Sequence, residues 1–160
     1  MTNSSDPLIS IIIPTYNHSR YLGRALQSIY DQTYRNWEAI VVDNHSTDDT
    51  CDVVKKFDDP RISYLKIHND GIIAASRNMG INMAKGNWLA FLDSDDWWSP
   101  DKLETCSKYI DDNLDLIHHD LSIVYDKPSF FHRNVTSSRQ LKSPVLKDLL
   151  TKGNAIVNST

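Results

Sequence analysis

The sequence predicts an α/β fold with a mostly parallel central sheet. Short apolar runs rich in β-branched residues alternate along the chain with segments whose apolar residues recur at helical spacing. This alternation is typical of βαβ units, which build parallel sheets. Polar clusters also follow directly after three of the apolar runs, at strand ends where open α/β sheets bind ligands. These two observations indicate both the fold class and the functional edge of the sheet.

Four strands are predicted from short apolar runs bounded by turn residues. They cover residues 8–13, 37–42, 61–67 and 88–92. Each is followed by a predicted helix, over about residues 19–32, 47–57, 71–85 and 100–113. The first helix has a core-facing stripe formed by Leu22, Ala25, Leu26 and Ile29. Gly86 is expected to follow the third helix as its C′ residue.

The pattern weakens towards the end of the chain. A fifth strand is predicted over 116–125, a short helix over 145–151 and the start of another strand from Gly153. Because the sequence stops while entering a strand, we expect one domain over residues 1–160 that is incomplete at its C-terminal end.

Composition narrows the class of protein. The length of 160 residues suits one ordinary domain, and the net charge of −4 gives no basic surface for nucleic acid. No apolar run is long enough for a transmembrane helix, and the N-terminus lacks the regions of a signal peptide. Cys51 and Cys106 show no CxxC spacing, so we expect no zinc site or disulfide framework, and a cytoplasmic location.

An acidic cluster follows the fourth predicted strand. Asp93, Asp95 and Asp96 stand within four positions, and two carboxylates about 5 Å apart repel by roughly 3 kcal/mol at an effective dielectric constant of about 20. A hard divalent cation would remove that repulsion. A helix-capping role is already filled, because Ser99 is a good N-cap and Pro100 suits the first helical position. The remaining alternative is a solvated acidic turn.

Two further polar clusters fall at predicted strand ends. Residues 14–17, Pro-Thr-Tyr-Asn, follow the first strand, and Asp43 ends the second. No GxGxxG or GxxxxGK[ST] sequence is present, which disfavours a dinucleotide-binding fingerprint and a P-loop hydrolase. A phosphate-bearing ligand would then need a metal on the acidic cluster. Asp43 can accept a hydrogen bond from a ribose hydroxyl or a base N–H, and the alternatives are a capping residue at 43 and plain turn residues at 14–17.

Two other groups of residues allow two interpretations each. Trp97 and Trp98 could stack on a sugar or base, or simply pack against the following helix. His118, His119 and Asp120 could bind a metal, or belong to an ordinary strand that passes the rim of the site.

In combination these residues resemble the family 2 glycosyltransferases. The resemblance is carried by PTYN at 14–17, VVD at 41–43 with STD at 46–48, ASRNMGINMAKGNWLAFLDSDD at 75–96 and WSPDKL at 98–103. It implies the GT-A fold of nucleotide-diphospho-sugar transferases, a Rossmann-like three-layer sandwich. Residues 8–125 would form the nucleotide-sugar-binding core, and residues 126–160 would begin an acceptor-side region.

The resemblance implies roles for individual residues. Thr15 and Tyr16 would line the pocket for the nucleotide base, and Asp43 would accept a hydrogen bond from the base. Arg77 would lie near the base or the diphosphate, although it could equally pair with an acid on the helix surface. The residues implied for nucleotide-sugar binding are Pro14, Thr15, Tyr16, Asn17, Asp43, Arg77, Asp93 and Ser94.

The same resemblance implies a metal cofactor, Mn²⁺ or Mg²⁺, bound by residues of the acidic cluster. Asp95 would bind the cation that bridges the diphosphate. Asp93 would contribute to the metal site and lie near the ribose, and Asp96 would support the metal or the sugar.

The implied function is metal-dependent, inverting transfer of a sugar from a UDP-sugar to a hydroxyl of a saccharide or lipid-linked acceptor. The full-length protein would work in the cytoplasm, with peripheral association at the inner face of the membrane. In the family the catalytic base lies well beyond the acidic motif, so we expect it beyond Thr160. The alternative is a nucleotide-sugar-binding module without transferase activity. A phosphoacceptor signalling domain is disfavoured, because no acid directly follows the first strand.

Overall fold

The computed structural model describes residues 6–111 and 114–119 of the chain. The chain divides into two compact units, Met1–Asn113 and Leu114–Thr160. In the first unit strands and helices alternate, and the bounds are β1 Ile9–Thr15, α1 Ser19–Tyr30, β2 Trp37–Asp43, α2 Thr50–Lys55, β3 Ile62–Lys66, α3 Ile73–Met83, β4 Trp88–Phe91 and α4 Lys102–Ser107. None of the helices in the described part of the chain is long and apolar enough to cross a membrane.

The sheet of the described residues has the strand order β3-β2-β1-β4. All three pairings are parallel, with Ile9 of β1 opposite Trp37 of β2 and Trp88 of β4. The chain therefore runs outwards from β1 to β3 and then returns to the other side of β1. The predicted α/β fold with a parallel sheet is confirmed.

Helices cover both faces of the central strand. Ile11 and Ile13 belong to the same buried cluster as the apolar stripe of α1, which confirms the predicted stripe. On the opposite face, Gly80 of α3 approaches the side chain of Ile12. Every residue of β1 is buried, as expected for a strand covered on both faces.

The fourth helix begins later than predicted. Its N-cap is Asp101, so Ser99 and Pro100 precede the helix and the prediction of a cap at Ser99 is wrong. The reason is a long-range contact with Gln32, which is fully buried just after α1. Its amide group donates to the carbonyl oxygen of Ser99 at 2.7 Å and accepts from the backbone N–H of Leu103 at 2.9 Å. These bonds hold the segment against α1 before it turns into α4.

Gly86 has a different role from the predicted C′ residue. The third helix ends at Met83, and its C-cap Ala84 is in an extended conformation. A Cβ atom on Gly86 would lie 2.4 Å from the carbonyl oxygen of Leu8. Glycine is required here because the chain passes close to the start of β1.

The predictions for the end of the chain fall mostly outside the described residues. Residues 116–119, the start of the predicted fifth strand, have no regular secondary structure. Residues 120–125 of that strand, the predicted helix over 145–151 and the strand from Gly153 lie outside the described residues, as does Asp120. The expectation of one domain over 1–160 stays a prediction.

Two helical glycines provide a test of the packing of α3 on β1. A Cβ atom at Gly80 would lie 2.5 Å from Cγ2 of the fully buried Ile12, whereas one at Gly23 of α1 would lie at an ordinary 3.6 Å from Val53. Overpacking should make Gly80→Ala lower the free energy of unfolding by about 1–3 kcal/mol. Gly23→Ala should raise it by about 0.5–1 kcal/mol, through helix propensity alone. Urea unfolding measures both free energies, and a stabilised Gly80→Ala protein would contradict the close packing of α3 on β1.

Candidate functional site

The candidate site lies at the carboxyl edge of the sheet, where β1 adjoins β4. The strand order reverses at this point, and open α/β sheets bind ligands in the crevice at such a switch point. After β4 the chain forms the acidic turn, residues 93–96, in which the N–H of Asp96 donates to the carbonyl oxygen of Asp93 at 3.0 Å. The loop after β1 and the loop after β2 border the same edge.

A hydrogen bond ties the loop after β1 to the acidic turn. His18 Nδ1 lies 2.8 Å from Ser94 Oγ, and Ser94 is 3% exposed. The predicted binding residue Ser94 is therefore fixed within the turn. His18 was missed by the sequence analysis, because a histidine one position after the 14–17 cluster belongs to no recognisable pattern.

Arg77 and Asp93 form an ion pair across the site. Arg77 Nη2 donates to Asp93 Oδ1 at 2.8 Å, and the two side chains are 16% and 31% exposed. Asp93 belongs to the acidic turn and not to a helix surface, so Arg77 does not pair with a helix-surface acid as one interpretation expected. The bond does not test the other interpretation, in which Arg77 lies near the base or the diphosphate. The Nε atom of Arg77 is buried without a hydrogen-bond partner among the described residues. A role of Arg77 or Asp93 in ligand binding stays a prediction.

Asp43 is fully buried and organises the loop after β2. Its Oδ1 accepts from the backbone N–H of Ser46 at 3.0 Å and from the Ser46 hydroxyl, and its Oδ2 accepts from the hydroxyl of Tyr64. Burial and the Asp43 carboxylate together raise the pKa of Tyr64 well above its usual range. A carboxylate has about four lone-pair sites, so three are occupied within the protein. The predicted contact of Asp43 with a nucleotide base stays a prediction.

The 14–17 cluster splits into buried and exposed residues. Pro14 and Thr15 are buried at the end of β1, and Thr15 Oγ1 has no hydrogen-bond partner among the described residues. Tyr16 is 55% exposed at the edge of the site. Asn17 has a φ of 51°, and its Oδ1 accepts from the backbone N–H of Thr47 at 2.8 Å. Asn17 thus joins the loops after β1 and β2.

Asp48, which belongs to the STD sequence that carried the resemblance, also lies at this edge. Its carboxylate accepts from the backbone N–H of Ser19 at 2.9 Å and from that of Thr50 at 3.1 Å, at the starts of α1 and α2. Desolvation raises the pKa of the exposed Asp48, but the hydrogen bonds from Thr50 and Ser19 outweigh this effect and leave the pKa well below its usual value. The carboxylate therefore stays charged where it satisfies two helix starts.

The acidic turn can supply some of the ligands of a cation, with the rest of its coordination shell supplied by a bound substrate. Asp95 is exposed, and its carboxylate has no hydrogen-bond or ion-pair partner among the described residues. No group of three or more His, Cys, Asp or Glu side chains in the described part of the chain could enclose a metal. Mg²⁺ in nucleotide sites is bound through one or two carboxylates plus substrate phosphates, without an all-protein cage. The donor set of this turn matches that kind of site.

Fold and sequence together place the chain among the glycosyltransferases of the GT-A fold. The chain belongs to glycosyl transferase family 2, because the sequence model of that family matches residues 10–158. The resemblance carried by the sequence motifs is thereby confirmed.

Two curated relatives illustrate the similarity. Glycosyltransferase GlyA of Streptococcus pneumoniae is 45% identical over 107 residues, which are 66% of this chain and 15% of GlyA. UDP-Glc:alpha-D-GlcNAc-diphosphoundecaprenol beta-1,3-glucosyltransferase WfgD of Escherichia coli is 38% identical over 120 residues, which are 74% of this chain and 47% of WfgD. The chain thus spans less than half of the length of these two relatives.

Solved structures show the same fold. S. aureus TarS 1–349 in complex with UDP superposes with a TM-score of 0.60 at 31% identity, covering 62% of this chain and 31% of TarS. The mannosyltransferase PcManGT from Pyrobaculum calidifontis, in complex with GDP-Man and Mn²⁺, superposes with a TM-score of 0.62 at 25% identity, covering 76% of this chain and 36% of PcManGT. The predicted GT-A fold is confirmed.

The bond between Tyr64 and Asp43 predicts a pH dependence of stability. Because the pKa of Tyr64 is raised in the folded state, the unfolded chain loses this proton at lower pH than the folded protein. The contribution to stability is complete below about pH 10 and is lost as the pH rises above it. Between about pH 10 and 11 the wild-type protein should lose up to about 1.4 kcal/mol more than Tyr64→Phe.

Urea unfolding at a series of pH values measures this slope. Tyr109→Phe removes a phenol that is 67% exposed and serves as the matched control. It should keep the wild-type slope. A Tyr64→Phe slope equal to that of the wild type would contradict the bond to Asp43.

Proposed function

We propose that the protein takes part in transfer of a sugar from a nucleotide-diphospho-sugar, UDP-linked, to a hydroxyl of a saccharide or lipid-linked acceptor. The transfer is inverting and depends on Mn²⁺ or Mg²⁺. The observation that carries the proposal is the acidic turn at the switch point of the sheet, with the exposed Asp95 carboxylate at its tip. Family membership over residues 10–158 supports the same chemistry.

The donor is held by the three loops at the carboxyl edge. Tyr16 presents an exposed ring for stacking on the base. The hydroxyl of Thr15, which has no hydrogen-bond partner in the described part of the chain, lies at the end of β1. Asp43 accepts from the base through its remaining lone-pair site. Arg77 lies next to Asp93, where its positive charge attracts a diphosphate. Residues 8–125 form this donor-binding core in the proposal.

The acidic turn is the place where the leaving group is stabilised. Asp95 would hold a divalent cation there, assisted by Asp93 and Asp96 of the same turn. The cation would supply Lewis-acid stabilisation of the charge that develops on the nucleoside diphosphate. The ion pair with Arg77 orients the Asp93 carboxylate. Ser94, bonded to His18, fixes the position of the turn relative to the loop after β1.

The acceptor half of the reaction needs a carboxylate base that removes the proton of the attacking hydroxyl. We place that base beyond Thr160, and residues 126–160 at the start of the acceptor-side region. WfgD is named for a diphosphoundecaprenol-linked substrate, which supports a lipid-linked acceptor and work close to a membrane. The cytoplasmic face of that membrane is the location in this proposal.

Removal of the Asp95 carboxylate tests the proposed donor site. In the presence of Mn²⁺, Asp95→Ala should weaken UDP binding by a factor of about 10–150, because a contact with a charged group is worth about 1.5–3 kcal/mol. Isothermal titration calorimetry measures the binding. Asp101→Asn is the matched control, since Asp101 is an exposed acid whose side chain caps no backbone N–H of α4. Unchanged UDP binding by Asp95→Ala, or no UDP binding by the wild type, would refute the proposal.

A second candidate function is a nucleotide-sugar-binding module that performs no transfer. It is favoured by the length of the chain, which covers 47% of WfgD and 15% of GlyA. The 160-residue protein and a C-terminally longer form of the same protein would be assayed side by side for transfer. If the 160-residue protein is only a binding module, both forms should bind UDP and only the longer form should transfer sugar. Transfer by the 160-residue protein itself would exclude the module.

A further inference from the structure

The acidic turn is anchored before and after its tip. Ser94 is buried, and Trp98 is also buried and donates its backbone N–H to Ser28 Oγ of α1 at 3.2 Å. Between these two anchors the chain is accessible to solvent. Asp95 is exposed, and Trp97 is 39% exposed. The residue proposed as the main metal ligand therefore stands on the least buried part of the turn.

One arginine of α1 contacts both exposed residues at the tip of the turn. Arg24 Nη2 donates to the carbonyl oxygen of Asp95 at 3.1 Å. The guanidinium carbon of Arg24 also lies 3.6 Å from the centre of the Trp97 ring. At this distance a planar guanidinium stacks on the indole, and the cation is attracted by the face of the ring. Arg24 thus holds the backbone of Asp95 and the side chain of Trp97 at the same time.

Arg24 binds the carbonyl oxygen of Asp95 and not its carboxylate, which matters for cation binding. An arginine bonded to the Asp95 carboxylate would neutralise it and occupy the oxygen atoms that a cation needs. Arg24 instead binds the main chain, so the position of Asp95 is fixed while both carboxylate oxygens remain available. The guanidinium charge also offsets part of the repulsion among the three carboxylates of the turn. Outer contacts that orient a metal ligand commonly set its affinity for the metal.

We propose that Arg24 is a positioning residue that orients Asp95 for its cation, through the Asp95 carbonyl group and the Trp97 ring. This inference rests on the proposed function, in which Asp95 binds the metal of the donor complex. It also gives Trp97 a role that differs from both interpretations left open by the sequence, because its ring stacks on Arg24 of α1 and not on the following helix. The sequence gives no sign of it, because Arg24 lies on the exposed face of an amphipathic helix, where arginine is ordinary.

The first measurement is the Mn²⁺ dependence of UDP binding to the 160-residue protein. Arg24→Ala should raise the Mn²⁺ concentration needed for half-maximal UDP binding by about 10–100-fold, the usual effect of losing an outer contact of a metal ligand. Arg24→Lys keeps the charge but loses the planar stack on Trp97. Its Mn²⁺ concentration for half-maximal UDP binding should therefore lie between those of Arg24→Ala and the wild type. Calorimetric titrations with UDP at a series of Mn²⁺ concentrations measure this shift.

Arg20→Ala is the matched control. Arg20 lies one turn earlier on α1, is exposed, and has its guanidinium carbon 5.4 Å from the centre of the Tyr21 ring. Among the described residues it makes no hydrogen bond or ion pair with the acidic turn. Its removal changes the net charge by the same amount. The Mn²⁺ requirement of Arg20→Ala should equal that of the wild type. If Arg20→Ala and Arg24→Ala raised the Mn²⁺ requirement equally, the loss of one positive charge would explain both results. That outcome would overturn the role of Arg24.

A second measurement reports on the turn without metal or nucleotide. Loss of the guanidinium should uncover one face of Trp97, so Arg24→Ala should increase quenching of tryptophan fluorescence by acrylamide. The increase should vanish when Arg24→Ala is combined with Trp97→Phe. Thermal unfolding of Arg24→Ala at the wild-type temperature would confirm that the fold is intact. Quenching that does not change would overturn the contact on which the proposal depends.

The two proposals fail in different ways. If the wild-type protein binds UDP without any Mn²⁺ dependence, the proposed metal-dependent function is refuted, and the role of Arg24 with it. If the wild type depends on Mn²⁺ and Arg24→Ala has the same requirement, only the role of Arg24 is refuted.

Discussion

The site depends on the pairing of β1 with two parallel neighbours, β2 on one side and β4 on the other. This pairing brings Thr15, Asp43 and the acidic turn to one edge of the sheet, although they are far apart in sequence. A strand in this position has no face towards water. The unbroken apolar sequence of β1 meets that condition, because Ile11 and Ile13 face the cluster that contains α1 while Ile12 meets α3. Hydrophobic burial of one strand thus determines where polar chemistry can collect.

Side-chain hydrogen bonds then join the loops at that edge. Asn17 connects the loop after β1 with the loop after β2, whose geometry is held by the buried carboxylate of Asp43. His18 connects the first loop with the acidic turn. On the far side of the turn, Gln32 holds the segment that leads to α4. Backbone groups that would otherwise be unsatisfied in irregular segments are paired in this way, which keeps the loops in fixed positions.

The sequence predicts those parts of the structure whose causes are local. Strand positions, the apolar stripe of α1 and the acidic turn follow from periodicity and from charge repulsion between near neighbours. The start of α4 does not, because it depends on a bond between Ser99 and a glutamine 67 positions earlier. Gly86 was misread for the same reason, since its neighbour is the carbonyl group of Leu8. His18 and Arg24 each contact the acidic turn from another element, and such contacts leave no pattern in a single sequence.

The joining of loops by side chains has an evolutionary consequence. A parallel ladder of backbone hydrogen bonds is insensitive to side-chain identity, so the strands tolerate changes in the loops that follow them. Single substitutions at the edge can then alter the shape of a pocket without disturbing the sheet. Two solved structures were obtained with different ligands, UDP in one and GDP-Man in the other, and they superpose on this chain with TM-scores of 0.60 and 0.62. The loops at the carboxyl edge are therefore the part of this framework where a change of ligand can arise without a change of the sheet.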